Sequence, residues 1–325
     1  MRVGVIGLGS MGKNHARVIY ELPETELASV YDPLSSEIKE IYGVPTTDKL
    51  EGLLSSNLDY CVVSSPTGTH AEMALLLAER GIPALIEKPI AASMPEGRKI
   101  IDAFASASLP GGVGHIERFN PAVQGLKAQL ENGLLGEVFQ ITTRRTGPFT
   151  GRIADVGVVK DLASHDIDLV SWIANSKYKS VDARMTHRSG RSHEDLLVAV
   201  ATLENGTLVN HLVNWLSPYK ERVTTVLGEK GLLVADTLNT KLTYIENGLL
   251  HKAWDETTGF KGVAEGEVRD FKLGTTEPLK LEHLSFQSDI RAGKAIDSVS
   301  LQEGLEVLRV AELMVSRAES SARDA

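Results

Sequence analysis

The stretch DLASHDIDLVSWI, residues 161–173, carries three titratable side chains at helical spacing: Asp161, His165 and Asp168 stand at i, i+4 and i+7. About 100° per residue puts them in one row, beside an apolar stripe of Leu162, Leu169 and Ile173 that Ala163 and Val170 widen. A carboxylate one turn from an imidazole can orient the ring. A histidine, whose ordinary pKa is about 6.5, suits proton transfer at neutral pH. The same row equally suits the solvated face of an ordinary amphipathic helix, so the helix alone decides nothing. Asp166 falls on the apolar side, an exception the pattern does not explain.

A second set of chemistry-bearing residues opens the chain. In RVGVIGLGSMGKNHARVI a short β-rich run is followed by Gly7, Gly9 and Gly12 and then by a helical segment. In a dinucleotide-binding turn the first glycine permits the bend and the second lets the backbone approach a pyrophosphate. The third allows helix and strand to pack closely. Ser10 and Met11 complete the loop, and the helix N-terminus offers its unpaired N–H groups to phosphate oxygens. The run ELASVYDP reads as a second strand ending at Asp32, twenty residues after Gly12. A carboxylate there suits ribose hydroxyls and repels a 2′-phosphate, which favours NAD over NADP. Ser35 and Ser36 keep NADP open.

Further alternation follows: a helix near SSEIKEIYG, strand LDYCVVSSP, helix THAEMALLLAERG, strand PALIEKP, helix MPEGRKIIDAFASAS and strand GGVGHI. This is the pattern of right-handed βαβ units in a parallel sheet, whose ligands lie beyond the carboxyl ends of the strands. Ser65, Thr67, His70, Glu87 and Lys88 fall at that edge, placed for cofactor or substrate. Each also suits an ordinary loop, and His70 can equally start its helix.

From about Pro121 the pattern changes. Helix AVQGLKAQLENGLLG and strand VFQITTRRTG precede the 158–173 helix, and six β-like runs follow it, with Asn205-Gly206 as a hairpin turn between two of them. Two helices and a short polar tail complete the chain. The fold class expected is α/β: a dinucleotide-binding domain over 1–120, then an α+β domain over 121–325 with a large, mostly antiparallel open sheet. The last helices are expected to pack back toward the first domain.

Composition bounds the function. The chain has 325 residues, about two domains' worth, with 42% hydrophobic and 24% charged residues. A net charge of −9 argues against nucleic acid or an anionic membrane as a main partner. No run approaches the roughly 18 apolar residues of a membrane span. The glycine-rich start lacks a signal-peptide cleavage site and reads as strand and turn. The single Cys61 lies in an apolar run and cannot form an internal disulfide, which fits a reducing cytoplasm. No cluster of residues suggests a metal site.

Taken with the glycine loop, Glu87-Lys88-Pro89, Arg118-Phe119-Asn120-Pro121, the D-x-x-x-H of Asp161 and His165, and the C-terminal EHLSFQSDIRAGKAIDSVSLQEGLEVLRVAE, the chain resembles the Gfo/Idh/MocA oxidoreductases over nearly its whole length. The resemblance implies a Rossmann domain binding NAD(P), with Lys88 and His165 facing the nicotinamide and handling the substrate hydroxyl. It implies Asp161 as a second polar residue of the same helix, and a cis bond between Lys88 and Pro89. Asp168 either touches substrate or is structural. It also implies a homodimer or homotetramer formed through the second domain's sheet.

TTRRTGPFTGRIADVGVVKDLASHDIDLV brings Arg144, Arg145 and Arg152 just ahead of the catalytic helix. Arginine forks suit diphosphate or carboxylate oxygens, and Arg118 and Asn120 are further candidates for substrate. The arginines equally suit pairing with acidic neighbours. Together these stretches resemble the sugar-nucleotide branch of the family, which implies oxidation of the 3-hydroxyl of UDP-N-acetylglucosamine to a 3-keto sugar. Two other readings stay open: a dehydrogenase of a neutral polyol or free sugar such as inositol, and a catalytically silent NAD-binding regulator.

Overall fold

Apolar runs of four to six residues, too short for helices and separated by amphipathic stretches, make the first part of the chain a layered α/β unit. The computed structural model describes residues 1–33, 38–149, 151, 156–248, 266–293 and 298–323. In chain order its first elements are β1 (Arg2–Ile6), α1 (Ser10–Glu21), β2 (Glu26–Tyr31), β3 (Glu40–Ile41), β4 (Val44–Thr47) and α2 (Leu50–Leu54). They continue with β5 (Tyr60–Val63), α3 (His70–Glu79), β6 (Ala84–Glu87), α4 (Met94–Ser106) and β7 (Gly111–Gly114). The strands form one sheet in the order β3-β4-β2-β1-β5-β6-β7, parallel apart from the β3–β4 pair.

Side-chain alternation splits the core into two layers. Tyr60 and Val62 of β5 face one side with Val3, Val5, Ala16 and Ile19, whereas Cys61 and Val63 face the other with Leu77, Ile86, Ile100 and Phe104. Burial pushes the Cys61 thiol up, so it stays protonated and inert.

The helix expected near residues 35–43 does not form in its described part. Glu40–Ile41 and Val44–Thr47 are strands instead, with Ile41 opposite Val44. The two residues between them, Tyr42 at φ 50° and Gly43 at φ 81°, make the tight reversal that twisted strands favour.

The second part comprises α5 (Pro121–Glu131), β8 (Val138–Pro148), α6 (Ser164–Ala174), β9 (Tyr178–Thr186), β10 (Leu196–Leu203) and β11 (Leu208–Asn214). It continues with β12 (Leu216–Gly228), β13 (Gly231–Asp236), β14 (Lys241–Glu246) and β15 (Val268–Asp270). Its eight-stranded sheet runs β15-β14-β13-β12-β8-β11-β10-β9, antiparallel except where β11 lies parallel to β8. One face is buried under α5 and α6. The other leaves Val198, Val200, Leu208 and Leu227 exposed.

Two final helices, α7 (Pro278–Ala292) and α8 (Leu301–Arg323), complete the chain. It divides into two units: Met1–Phe119 with Thr276–Glu312, and Asn120–Thr275 with Leu313–Ala325. The first unit thus takes in α7 and the start of α8. Phe286 and Ile290 fill one layer of the first unit's core, and Leu301, Leu305 and Leu308 fill the other. Among the described residues no helix is long and apolar enough to cross a membrane.

Candidate active site

In the first unit the three glycines behave differently. Gly7 sits at φ +88°, where a Cβ would strike the Ser65 backbone at 2.7 Å. A Cβ on Gly12 would come within 1.9 Å of the Gly7 carbonyl, so α1 packs on the loop only with glycine there. At Gly9, by contrast, a Cβ would meet nothing within 4 Å among the described residues. Gly9 precedes α1 without a side-chain cap, and the first turn of α1 carries no acidic residue.

Neighbouring strands brace the loop. Asp32, just beyond β2, accepts the Leu8 N–H at 2.6 Å, and Ser64 donates to the Ile6 and Gly7 carbonyls at 3.0 Å each. Room at Gly9, an uncapped helix N-terminus and a carboxylate at the β2 end fit the pyrophosphate and ribose of a dinucleotide. Met11 instead turns its side chain into an apolar cluster with Val18, Leu22 and Leu279.

The next two strand ends bring Ser65, Thr67, His70, Glu87 and Lys88 to the same edge of the sheet. Ser65 Oγ accepts from Thr69 Oγ1 at 2.7 Å, and Thr67 begins a single tight turn ahead of α3. His70 is buried with its ring nitrogens 2.9 Å from the carbonyls of Pro89 and Ser65, so it joins two loops. Glu87 is buried too: one oxygen lies 2.9 Å from His15 Nε2 and the other accepts the Lys88 N–H at 3.1 Å. Both residues thus have structural partners where sequence placed cofactor ligands. Lys88 precedes a cis peptide bond to Pro89 and is the one residue of 84–91 that is not buried.

In the second unit the segment from 158 onward is not one regular helix. Val159–Ala163 forms a wider i→i+5 turn, and α6 follows from Ser164. Asp161 therefore lies on the wide turn and departs from the 100° progression that placed it in line with His165. His165 is the one residue of 163–170 that keeps solvent access, whereas Asp161 and Asp168 are buried.

Asp166, unexplained by the helical pattern, accepts from Arg145 Nε at 2.7 Å, with both side chains buried. The inward-facing row of β8 and β11 also holds Thr143 and His211. His211 Nδ1 lies 2.7 Å from Thr143 Oγ1 and Nε2 lies 2.9 Å from the Tyr178 hydroxyl. Burial draws the His211 pKa down to about 4. Burial, with Asp166 and Asp168 nearby, pushes the Tyr178 phenol well up.

Three of the arginines expected to grip substrate, Arg118, Arg144 and Arg145, each pair with an acidic side chain. Arg145 is committed to Asp166. Arg144, one residue earlier, points to the opposite face of the sheet and pairs with Glu221 at 2.9 Å. Arg152 lies outside the described residues. Arg118 is buried against Glu303 at 2.8 Å. Asn120 caps α5, accepting the Ala122 N–H, and donates to the Thr237 carbonyl at 3.1 Å. Among the described residues no group of three or more His, Cys, Asp or Glu side chains is arranged to hold a metal ion. Sequence reading missed His15, Tyr60 and His283, which stand on apolar faces where spacing alone suggests core.

Two family models match the chain. Residues 1–115 match the oxidoreductase family with an NAD-binding Rossmann fold, and residues 123–234 match the GFO/IDH/MocA C-terminal domain. The chain is 27% identical over 303 residues to a UDP-N-acetylglucosamine 3-dehydrogenase of Acidithiobacillus ferrooxidans, covering 91% of this chain and 90% of that one. It is 25% identical over 244 residues to an inositol 2-dehydrogenase of Corynebacterium glutamicum, covering 71% and 72%. A solved structure of the Acidithiobacillus ferrooxidans enzyme superposes with a TM-score of 0.85 at 25% identity, covering 98% of each chain.

Proposed function

The chain belongs to the Gfo/Idh/MocA family of NAD-binding oxidoreductases, and from that premise we propose that it oxidises a secondary hydroxyl of a sugar nucleotide. The substrate proposed is UDP-N-acetylglucosamine, oxidised at its 3-hydroxyl to a 3-keto sugar. One observation carries the catalytic reading: in two otherwise buried stretches, 84–91 and 163–170, the residues with solvent access are Lys88 and His165. Bound NAD supplies a hydride acceptor at C4 of its nicotinamide. His165 takes the hydroxyl proton as general base, since an imidazole titrates near neutral pH. Lys88 holds the hydroxyl oxygen and stabilises the negative charge that builds on it. Asp161, on the wide turn just ahead of α6, orients the ring. Asp32 favours NAD, because a second negative charge from a 2′-phosphate would lie against its carboxylate.

The choice of substrate is supported by the length of the match to the UDP-N-acetylglucosamine 3-dehydrogenase, which runs through both units. A second reading, a polyol dehydrogenase, is favoured by the inositol-acting relative and by the acidic partners that Arg144, Arg145 and Arg118 already have. We further propose that a second copy of the chain covers the exposed apolar face of the eight-stranded sheet, and that the protein works in the cytoplasm.

The test is NADH formation by the purified protein with UDP-N-acetylglucosamine, its uronic acid, UDP-glucose, free N-acetylglucosamine and myo-inositol. Turnover confined to UDP-sugars supports the proposal. Turnover of inositol or the free sugar alone replaces it with the second reading.

A further inference from the structure

A buried line of hydrogen bonds runs through the first unit to the residue before Lys88. It starts at Gln287 of α7, whose Nε2 donates to the Tyr60 hydroxyl at 3.1 Å. Tyr60 Oη lies 2.8 Å from His283 Nδ1, His283 Nε2 lies 2.9 Å from His15 Nδ1, and His15 Nε2 lies 2.9 Å from Glu87 Oε1. Every member is buried, with both histidines fully so. The other Glu87 oxygen accepts the backbone N–H of Lys88.

A consistent set of donors and acceptors runs in one direction. Gln287 donates to the Tyr60 oxygen, and the phenol hydrogen can then point at His283 Nδ1. His283 then presents Nε2–H to His15 Nδ1, and His15 presents Nε2–H to the carboxylate. Burial and the neighbouring His15 hold His283 well below the ordinary histidine range, so its ring stays neutral. Burial pushes the Glu87 carboxyl up, but its hydrogen bond to His15 and its electrostatic attraction to His15, Lys88 and His70 outweigh it and leave it below the usual range. A lone buried carboxylate would be costly and free to rotate. This one is charged, fixed and satisfied at both oxygens.

We propose that His15, backed by His283 and Tyr60, is a positioning residue for Lys88. It locks the Glu87 carboxylate, which in turn locks the Lys88 backbone at the start of the cis bond. This rests on the reading of Lys88 as the residue that holds the substrate hydroxyl. It assigns a role to three buried residues, drawn from α1, β5 and α7.

The experiment reads Lys88 directly, without substrate. Trace acetylation of the native protein, followed by mass spectrometry, gives the reactivity of Lys88 relative to the exposed Lys13 and Lys99. In His15→Leu the relative reactivity of Lys88 should change severalfold, and in His15→Gln, whose amide can still donate to Glu87, it should return toward wild type. Tyr60→Phe, a milder change at the far end of the line, should give a smaller change in the same direction and covers the case in which His15→Leu does not fold. With whichever substrate turns over, kcat of His15→Leu should fall by up to about 10²-fold while KM for NAD holds, the pattern of a misplaced group. Lys88 reactivity unchanged in folded His15→Leu, or in Tyr60→Phe if His15→Leu does not fold, overturns the proposal. Absence of turnover by the wild type with every substrate would overturn the dehydrogenase reading, and the acetylation result would still decide the positioning claim.

Discussion

Acid should destabilise the second unit through one residue, His211. Its ring is buried between Thr143 and Tyr178, and burial lowers its pKa from 6.5 to about 4. As pH falls below about 6.5 the unfolded chain takes up this proton while the folded chain refuses it. Stability from this group is therefore complete above pH 6.5, drains away between 6.5 and about 4, and falls no further below that. The gap between those two pKa values corresponds to about 3 kcal/mol, a large share of the roughly 5–15 kcal/mol of an ordinary domain. The assay is denaturant unfolding at a series of pH values from 7.5 to 4, for wild type and His211→Gln. The variant starts less stable, but the difference between the two curves should shrink by about 3 kcal/mol as pH falls through this window. His283, in the other unit, contributes with the same sign to both proteins and cancels in the difference. Parallel pH profiles for the two proteins would refute the reasoning.

Other substitutions test the site and its supports. His165→Asn and Lys88→Ala should each lower turnover by about 10²–10⁴-fold with dinucleotide still bound, measured by NADH formation and by titration of nicotinamide fluorescence. Asp32→Ala should narrow the preference for NAD over NADP, read as the ratio of kcat/KM for the two. Asp166→Ala removes the carboxylate paired with the buried Arg145 cation and should cost about 3–5 kcal/mol in unfolding experiments, whereas Asp166→Leu combined with Arg145→Met should recover most of it.

What the sequence reveals and conceals follows from the range of each signal. Strand–helix alternation and glycine spacing are local, and both are visible in the folded chain: Gly7, Gly9 and Gly12 take the bend, the open position and the tight contact that their spacing suggests. The segment near residue 40 misled because SSEIKEIYG carries helical spacing, whereas the Tyr42-Gly43 reversal that pairs Ile41 with Val44 is a matter of backbone conformation. Asp166 looked like an error in an apolar stripe, since its partner Arg145 stands on a strand that the helical period cannot see. Arg144 and Arg145 are adjacent in the sequence, and strand alternation sends the two to opposite faces. His15 and His283 are 268 residues apart in the chain, and nothing local marks either as the other's partner.

The most direct test of the account follows the hydride itself. UDP-N-acetylglucosamine carrying deuterium at C3 of the sugar is incubated with the protein and NAD, and the recovered dinucleotide is weighed by mass spectrometry. The account expects NADH one mass unit heavier, with the label at C4 of the nicotinamide, and loss of that transfer in Lys88→Ala and His165→Asn. Unlabelled NADH would place the oxidation at another carbon. Absence of NADH from this sugar, with ready formation from myo-inositol, would contradict the sugar-nucleotide assignment.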